Sequence, residues 1–247
     1  MTKARMDYLP DRASSEPRPL YARSSERGAW QPLSEHLLRV AVRAEGAAAA
    51  FGAGPWGRAA GLWHDLGKGS PHFQTYLLAA TTACAEDEVL RGSVDHSTAG
   101  AQHAVESVQL LGHLLAYCIA GHHAGLLDGR GEGACLEARL EKQVEVWQEA
   151  VALIPPVGRL ELPPFLSAKL SDHRRHPADC AFSFSFFVRM LFSCLVDGDA
   201  LDAGAFTDPG VAAARCPWPV SVLGMMEDAL TAHLDGIDIP FGGNAVA

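Results

Sequence analysis

The sequence contains no apolar run approaching the roughly 18 consecutive residues that a membrane-crossing helix requires. Its opening stretch, MTKARMDYLPDRASSEPRPL, is charged and Pro-rich and lacks the apolar segment of a secretory signal. No membrane partner is expected, and the cytoplasm is the expected location. None of the six cysteines (Cys84, Cys118, Cys135, Cys180, Cys194 and Cys216) belongs to a CxxC pair. This argues against a zinc knuckle and reads them as reduced, small apolar residues. A net charge of −9 argues against a broad basic surface for duplex DNA. It leaves a nucleic-acid substrate open, because bound metal ions can supply the positive charge that phosphate needs. There is no clean alternation over six or more residues, no Asn-Gly hairpin signal, no internal repeat and no G-x-x-x-x-G-K-[ST] phosphate loop.

What remains is helical. The 247 residues, 48% of them hydrophobic, suffice for one substantial domain with a buried core. LSEHLLRVAVRAEGAAAAF (33–51) predicts a helix with Ser34 as its N-cap. After the break at FGAGPWG the helical pattern resumes in WGRAAGLWHDLGK. SPHFQTYLLAATTA predicts a helix capped by Ser70, with Pro71 in its first turn. Residues 85–95 read as a charged loop, and 97–120 as one long helix ending at Gly121. CLEARLEKQVEVWQEAVALI predicts a single amphipathic helix stopped by Pro155 and Pro156. Residues 178–197 form a strongly apolar helix, and WPVSVLGMMEDALTAHL one more. The expected fold is all-α: a flexible lead-in over 1–30, a single helical domain over 31–240, and a tail or linker start over 241–247.

Several metal-ligand residues interrupt these apolar helices. They are His36 in SEHLLRVA, His64 and Asp65 in LWHDLGK, His122 and His123 in CIAGHHAGL, and Asp197 and Asp199 in LVDGDALD. His96, in VDHSTAG, precedes the long helix. Buried imidazole and carboxylate groups are costly unless paired, hydrogen-bonded or bound to metal. Any one of them alone is more simply a satisfied core residue. Their recurrence in separate helices is explained together by one shared metal site. An imidazole and carboxylate set suits borderline or hard divalent ions, and two adjacent ions can bind both the attacking and the leaving oxygen in phosphoester cleavage. Lys68, four residues after His64, is either a cation for substrate phosphate or the developing oxyanion, or a solvated helix-end lysine.

The order H…HD…D resembles that of the HD phosphohydrolase superfamily. More narrowly, HLLRVA, GLWHDLGKGSPHFQTYL, DHSTAGAQ, IAGHHAGLLDG and MLFSCLVDGDALD resemble, in order, the HD nuclease domain of the signature nuclease-helicase of type I CRISPR systems. These stretches run from about residue 36 to 203. The resemblance implies an HD-domain helical bundle around a metal site. His36, His64, Asp65 and the late aspartate would hold one ion; His96, His122 and His123 would complete a second, with Asp65 bridging. Lys68 matches the lysine after HD, and Ser97 follows its ligand histidine as in the family; both would contact substrate. For the late aspartate, register against the family favours Asp199 over Asp197. Gly198 and Ala200 depart from the family's usual Ala-Asp followed by a large residue.

The resemblance further implies a metal-dependent nuclease that cleaves single-stranded DNA in antiviral CRISPR interference. Its cofactors would be two divalent transition metal ions (Mn, Ni, Co or Fe, with Mg or Zn also compatible). Its partners would be a DEAD-type helicase, as part of the same protein or a separate subunit, and the crRNA-guided surveillance complex. GGNAVA at the end reads as the start of a linker, as in a fragment of a larger protein. Two other readings compete: an HD-family nucleotide phosphohydrolase or cyclic-nucleotide phosphodiesterase, and an inactive HD docking module. Of the remaining histidines, His72 and His103 are expected at the surface and His113 in the core, bonded to backbone. His173 and His176 fall in a solvated loop or a small basic patch for a nucleic-acid backbone.

Overall fold

The computed structural model describes residues 19–24, 28–82, 94–215 and 220–236. The expected lead-in over 1–18, most of the charged loop at 85–95, and the tail beyond 236 lie outside the described residues. The remainder is mostly helical, as the apolar periodicity predicts.

Helix α1 (Leu33–Ala49) buries Leu33, Leu37, Val40, Ala41, Ala44 and Ala48, a stripe at helical spacing. His36 lies on the same face and is fully buried. Against this stripe lies α2 (Gly54–Trp63), most of whose residues are buried. The contact is close because both helices present small residues there. A β-carbon on Gly61 would meet the Ala41 backbone nitrogen at 2.5 Å, with the Ala41 Cα nearer still. The crossing brings the start of α1 beside the end of α2, and so places His36 near His64.

The chain leaves α2 at His64, turns through Asp65, and enters a 3-10 turn at Leu66–Gly69. The helix expected to continue through Lys68 therefore stops five residues early. Gly67 packs on the backbone of His96, where any β-carbon would collide with its carbonyl. Helix α3 (Pro71–Thr82) follows, with Ser70 Oγ accepting from the Phe73 N–H at 3.2 Å, as its capping role predicts. Ser34, by contrast, is not a cap: α1 begins one residue earlier, after Pro32.

The lead-in expected over 1–30 is corrected in its later part. Tyr21–Ser24 (β1) pairs antiparallel with Trp30–Pro32 (β2). Its registration depends on Gln74, which accepts from the Tyr21 N–H at 3.1 Å and donates to the carbonyls of Tyr21 and Lys68 at 2.8 and 2.6 Å. This three-way bond ties the strand to the turn that carries Lys68. Short-range alternation cannot reveal such a strand, because it is short and part of its bonding comes from a side chain on α3.

The expected long helix at 97–120 is divided. Helix α4 (Ser97–Val108) and α5 (Gly112–Gly121) flank a 3-10 turn in which Gln109 takes φ 54°. The amphipathic helix expected over 135–154 is also broken, into α6 (Leu136–Glu141) and α7 (Gln148–Val151). Gln102 of α4 donates to the carbonyls of Leu140 and Lys142, at 3.0 and 2.6 Å, which satisfies the end of α6 in place of a further turn. Helix α8 (Pro164–Ser171) leads to the 31-residue α9 (Pro177–Thr207), which extends ten residues beyond the expected end. α10 (Pro209–Ala214) and α11 (Val220–Asp235) complete the described chain.

Helix α9 buries Phe187, Val188, Leu191, Cys194, Leu195, Gly198 and Asp202 along one stripe, against α1, α2 and α5. The 97–121 stretch and α9 are long and apolar enough on average to cross a bilayer, a property that the absence of unbroken apolar runs conceals. Both also contribute to the core, and α9 carries Asp199 and Asp202 to its inner side.

Gly61→Ala tests the close crossing. Helix propensity would favour alanine by up to about 1 kcal/mol, but the obstacle is backbone, and overpacking costs about 1–3 kcal/mol. Urea unfolding should show a net loss of stability; an unchanged or higher midpoint would mean that the helices can separate freely.

Candidate metal centre

Three histidines of the polar cluster are held by the same local device. At the end of α2, the His64 ring folds back so that Nδ1 lies 2.8 Å from the Gly61 carbonyl. At the end of α5, His122 Nδ1 lies 2.7 Å from the Ile119 carbonyl. Before α4, His96 Nδ1 lies 2.9 Å from the Val94 carbonyl. A carbonyl can only accept, so each Nδ1 carries a proton and each Nε2 is the nitrogen turned inward. Two of these bonds also satisfy carbonyls at helix ends, which have no partner within the helix.

The fourth histidine, His36, is held by a carboxylate: its Nδ1 lies 2.8 Å from Asp202 Oδ2, which also accepts from Gln31 Nε2 at 2.7 Å. A carboxylate behind a ligating imidazole fixes its tautomer and raises its basicity. Asp202 is fully buried.

The Nε2 atoms converge on Asp65. Its Oδ2 lies 3.0 Å from His36 Nε2 and 3.2 Å from His64 Nε2; its Oδ1 lies 3.4 Å from His122 Nε2 and 3.5 Å from His96 Nε2. Asp199 Oδ1 lies 3.5 Å from His36 Nε2 and 3.9 Å from His64 Nε2. His96 Nε2 and His123 Nε2 are 2.8 Å apart. The ligands thus form two groups that can each hold a metal ion. One is His36, His64, Asp65 and Asp199; the other is Asp65, His96, His122 and His123, with Asp65 common to both. All seven residues expected as ligands are brought together. Asp199 is the late aspartate of the cluster, whereas Asp197 is exposed on the opposite side of α9.

Chemistry favours a cation here. His64 Nε2, His122 Nε2 and Asp65 Oδ1 are buried with no hydrogen-bond partner. Lone pairs of imidazole and carboxylate facing one another are repulsive, and buried unpaired polar atoms cost about 1–3 kcal/mol each. A divalent ion resolves the repulsion, and these nitrogen and oxygen donors suit Mn, Fe, Co, Ni or Zn.

Protonation fits the same picture. Burial would raise the Asp65 carboxyl, but His64 and Lys68, with His122 and His36 close by, hold it well below the ordinary range. Burial likewise opposes ionisation of Asp199, and is outweighed chiefly by His64. Burial holds His96 down, partly offset by Asp65. Desolvation, then the neighbouring His122, bring His123 to about 4. These last two are neutral near pH 7 and able to ligate.

Lys68 is buried, with Nζ 2.6 Å from Asp65 Oδ2 and 5.6 Å from the centre of the Phe73 ring. It is therefore no solvated helix-end lysine. Ser97 Oγ accepts from Arg139 Nη1 at 3.2 Å. Arg23, on β1, was not legible as a site residue. Its Nη2 lies 3.2 Å from Asp199 Oδ1, and 3.2 and 3.1 Å from both ring nitrogens of His36. One N–H cannot donate in-plane to both nitrogens, so this contact with the imidazole is packing and the bond is to Asp199.

Of the other histidines, His72, His173 and His176 are exposed. His103, expected at the surface, is half-buried between Trp63 and Trp147, with ring centres 5.0 and 5.3 Å away. His113 is half-buried rather than core, though Nδ1 does approach the Leu110 carbonyl at 3.3 Å.

These features define a mostly helical domain with a buried His/Asp cluster that can hold metal. No model of a known protein family matches the chain, and no curated protein matches it.

Two measurements probe the cluster. Metal analysis with calorimetric titration should give two divalent ions per chain. Asp65→Ala should lose both and Asp199→Asn should weaken one, while Asp197→Asn should bind as wild type; equal loss at 197 and 199 would refute the assignment. In the metal-free protein, the unfolded chain takes up protons on its histidines near pH 6.5, whereas folded His123 resists until about 4. Stability should therefore fall as pH drops from about 6.5 to 4. The depressed Asp65, Asp199 and Asp202 extend the loss below the ordinary carboxylate range, as pH passes through their folded values. His123→Gln should flatten the upper part of the thermal-melt profile.

Proposed function

We propose that the chain is a metal-dependent nuclease of the HD type that hydrolyses phosphodiester bonds of single-stranded DNA. The observation that carries this reading is the carboxylate of Asp65, shared between two histidine groups with the ammonium of Lys68 on its Oδ2. Bound divalent ions would supply Lewis acidity and lower the pKa of an attacking water.

The chain's own residues contribute the rest. Asp65 places two ligand groups side by side, the arrangement an in-line displacement at phosphorus needs. The Nδ1 bonds of His36, His64, His96 and His122 keep the rings from rotating, so the donor set is preorganised. Lys68, held by Asp65 and the Phe73 face, stands ready to take a phosphoryl oxygen as negative charge develops. His36, His64 and Asp65 form a closed back to the site, and His123 is the most exposed ligand. Substrate therefore approaches from the His96 and His123 side. In the CRISPR setting that the sequence motifs suggest, a surveillance complex exposes a displaced strand and a DEAD-type helicase feeds it to the nuclease in the cytoplasm.

Cleavage of a single-stranded oligonucleotide should require added Mn, Ni, Co or Fe and stop with EDTA. Asp65→Ala should abolish it with an unchanged far-UV spectrum, and Lys68→Ala should reduce kcat by about 10²-fold, the effect of losing one charge-stabilising donor. Turnover of mononucleotides or cyclic nucleotides without cleavage of oligonucleotides would overturn the nuclease reading.

A further inference from the structure

A cavity of about 370 Å³ adjoins the exposed edge of the cluster. His96 and His123 line it, and Arg139 and Lys142 line it as well. We propose that this cavity seats a backbone phosphate of single-stranded DNA next to the scissile one, with Lys142 and Arg139 as its cationic contacts. The proposal rests on the nuclease reading and gives the substrate a direction across the site.

Three observations carry it. Both cations share one acid: Arg139 Nη1 lies 3.3 Å from Asp95 Oδ1 and Lys142 Nζ 2.5 Å from Asp95 Oδ2. The three side chains leave one positive charge in surplus at the mouth of the site, on a chain of net charge −9. Such a local excess attracts phosphate where the surface as a whole does not.

The cations are also positioned by a dedicated framework. Gln102 Nε2 lies 3.5, 3.0 and 2.6 Å from the carbonyls of Arg139, Leu140 and Lys142, which fixes the end of α6 against α4. Arg139 Nη1 additionally donates to Ser97 Oγ and Thr98 Oγ1, each at 3.2 Å. Asp95 accepts from the Thr98 N–H at 3.2 Å and from Thr98 Oγ1 at 2.8 Å.

Finally, this framework and the ligand share one turn. Asp95, His96, Ser97 and Thr98 are consecutive, so the cations and His96 are held at a constant separation. A fixed distance between a metal ligand and a phosphate seat favours a polymer, whose phosphates recur at regular spacing, over a single phosphate ester. The half-exposed Lys142 can leave Asp95 for a phosphate oxygen, while Arg139 keeps Asp95 and Ser97 in place.

The test measures oligothymidylate affinity by fluorescence anisotropy over a range of salt, with steady-state cleavage and metal stoichiometry on the same preparations. Lys142→Gln should weaken oligonucleotide binding about fivefold at 0.1 M salt and lower the salt slope by about 0.7, the signature of one lost single-strand contact. It should raise KM more than it lowers kcat, with two metals still bound. Gln102→Leu, which frees the end of α6, should shift KM in the same direction. An unchanged affinity and slope in Lys142→Gln, or a loss confined to kcat or to metal content, overturns the proposal. Lys142 has one side-chain partner here, so the variant should fold even if Arg139→Gln does not. A wild-type protein that neither binds nor cleaves oligothymidylate refutes the nuclease reading. One that does both, with Lys142→Gln indistinguishable from it, refutes this seat alone.

Discussion

The cluster depends on one buried carboxylate. Asp65 is fully buried and its two oxygens face four imidazole nitrogens and an ammonium. An isolated buried carboxylate would cost several kcal/mol, so its environment must supply positive charge. The lysine supplies part of it, and the geometry of the Nε2 atoms calls for more. Once the Nδ1 atoms are committed to carbonyls and to Asp202, the inward nitrogens cannot donate unless the rings are protonated. The two His/Asp groups that share Asp65 can hold metal ions, which would answer that constraint.

The scaffold makes this concentration of polar groups tolerable. Alanine and glycine line the contact of α1 and α2, so the backbones approach closely and the start of one helix meets the end of the other. Gly67 lets the turn after Asp65 lie on the backbone of His96. The small residues govern distance, and the distance brings ligands from separate turns within reach of a shared carboxylate. The same economy extends outward: Gln74 ties β1 to the Lys68 turn, and Gln102 ties α6 to the turn that carries His96.

Much of the ligand set was legible because it violates the helical pattern. His36, His64, Asp65, His122 and His123 stand in apolar surroundings where polar groups are costly. Their recurrence, with His96 just before a helix, pointed to one site. Helical register left Asp197 and Asp199 nearly equivalent, and register against the resembled family favoured Asp199; the structure buries Val188 and Leu195 on the Asp199 side and exposes Phe186 and Met190 on the other. Asp202 and Gln31 were missed. Asp202 is three residues after Asp199 on one helix face, a spacing that could have flagged it; Gln31 carries no such signal. Arg23 was obscured because its strand has a two-residue register irregularity and no alternation. The 135–154 segment was read as one helix because its pattern is amphipathic throughout. Capture of its carbonyls by Gln102, distant in sequence, ended it early.

The sequence by itself determined the helical class and the presence of costly His and Asp residues in several separate apolar segments; the grouping of the seven ligands came from the resemblance of its motifs. The first two follow from local periodicity and from the cost of polar residues on apolar faces. Only the tertiary structure decided that Lys68 points inward from a 3-10 turn and that Asp202 stands behind His36. It also decided that Arg139 and Lys142 face the cluster. The physical reason is that pattern records whether a side chain is buried. Which atoms it meets there depends on how closely helices cross and where each one stops.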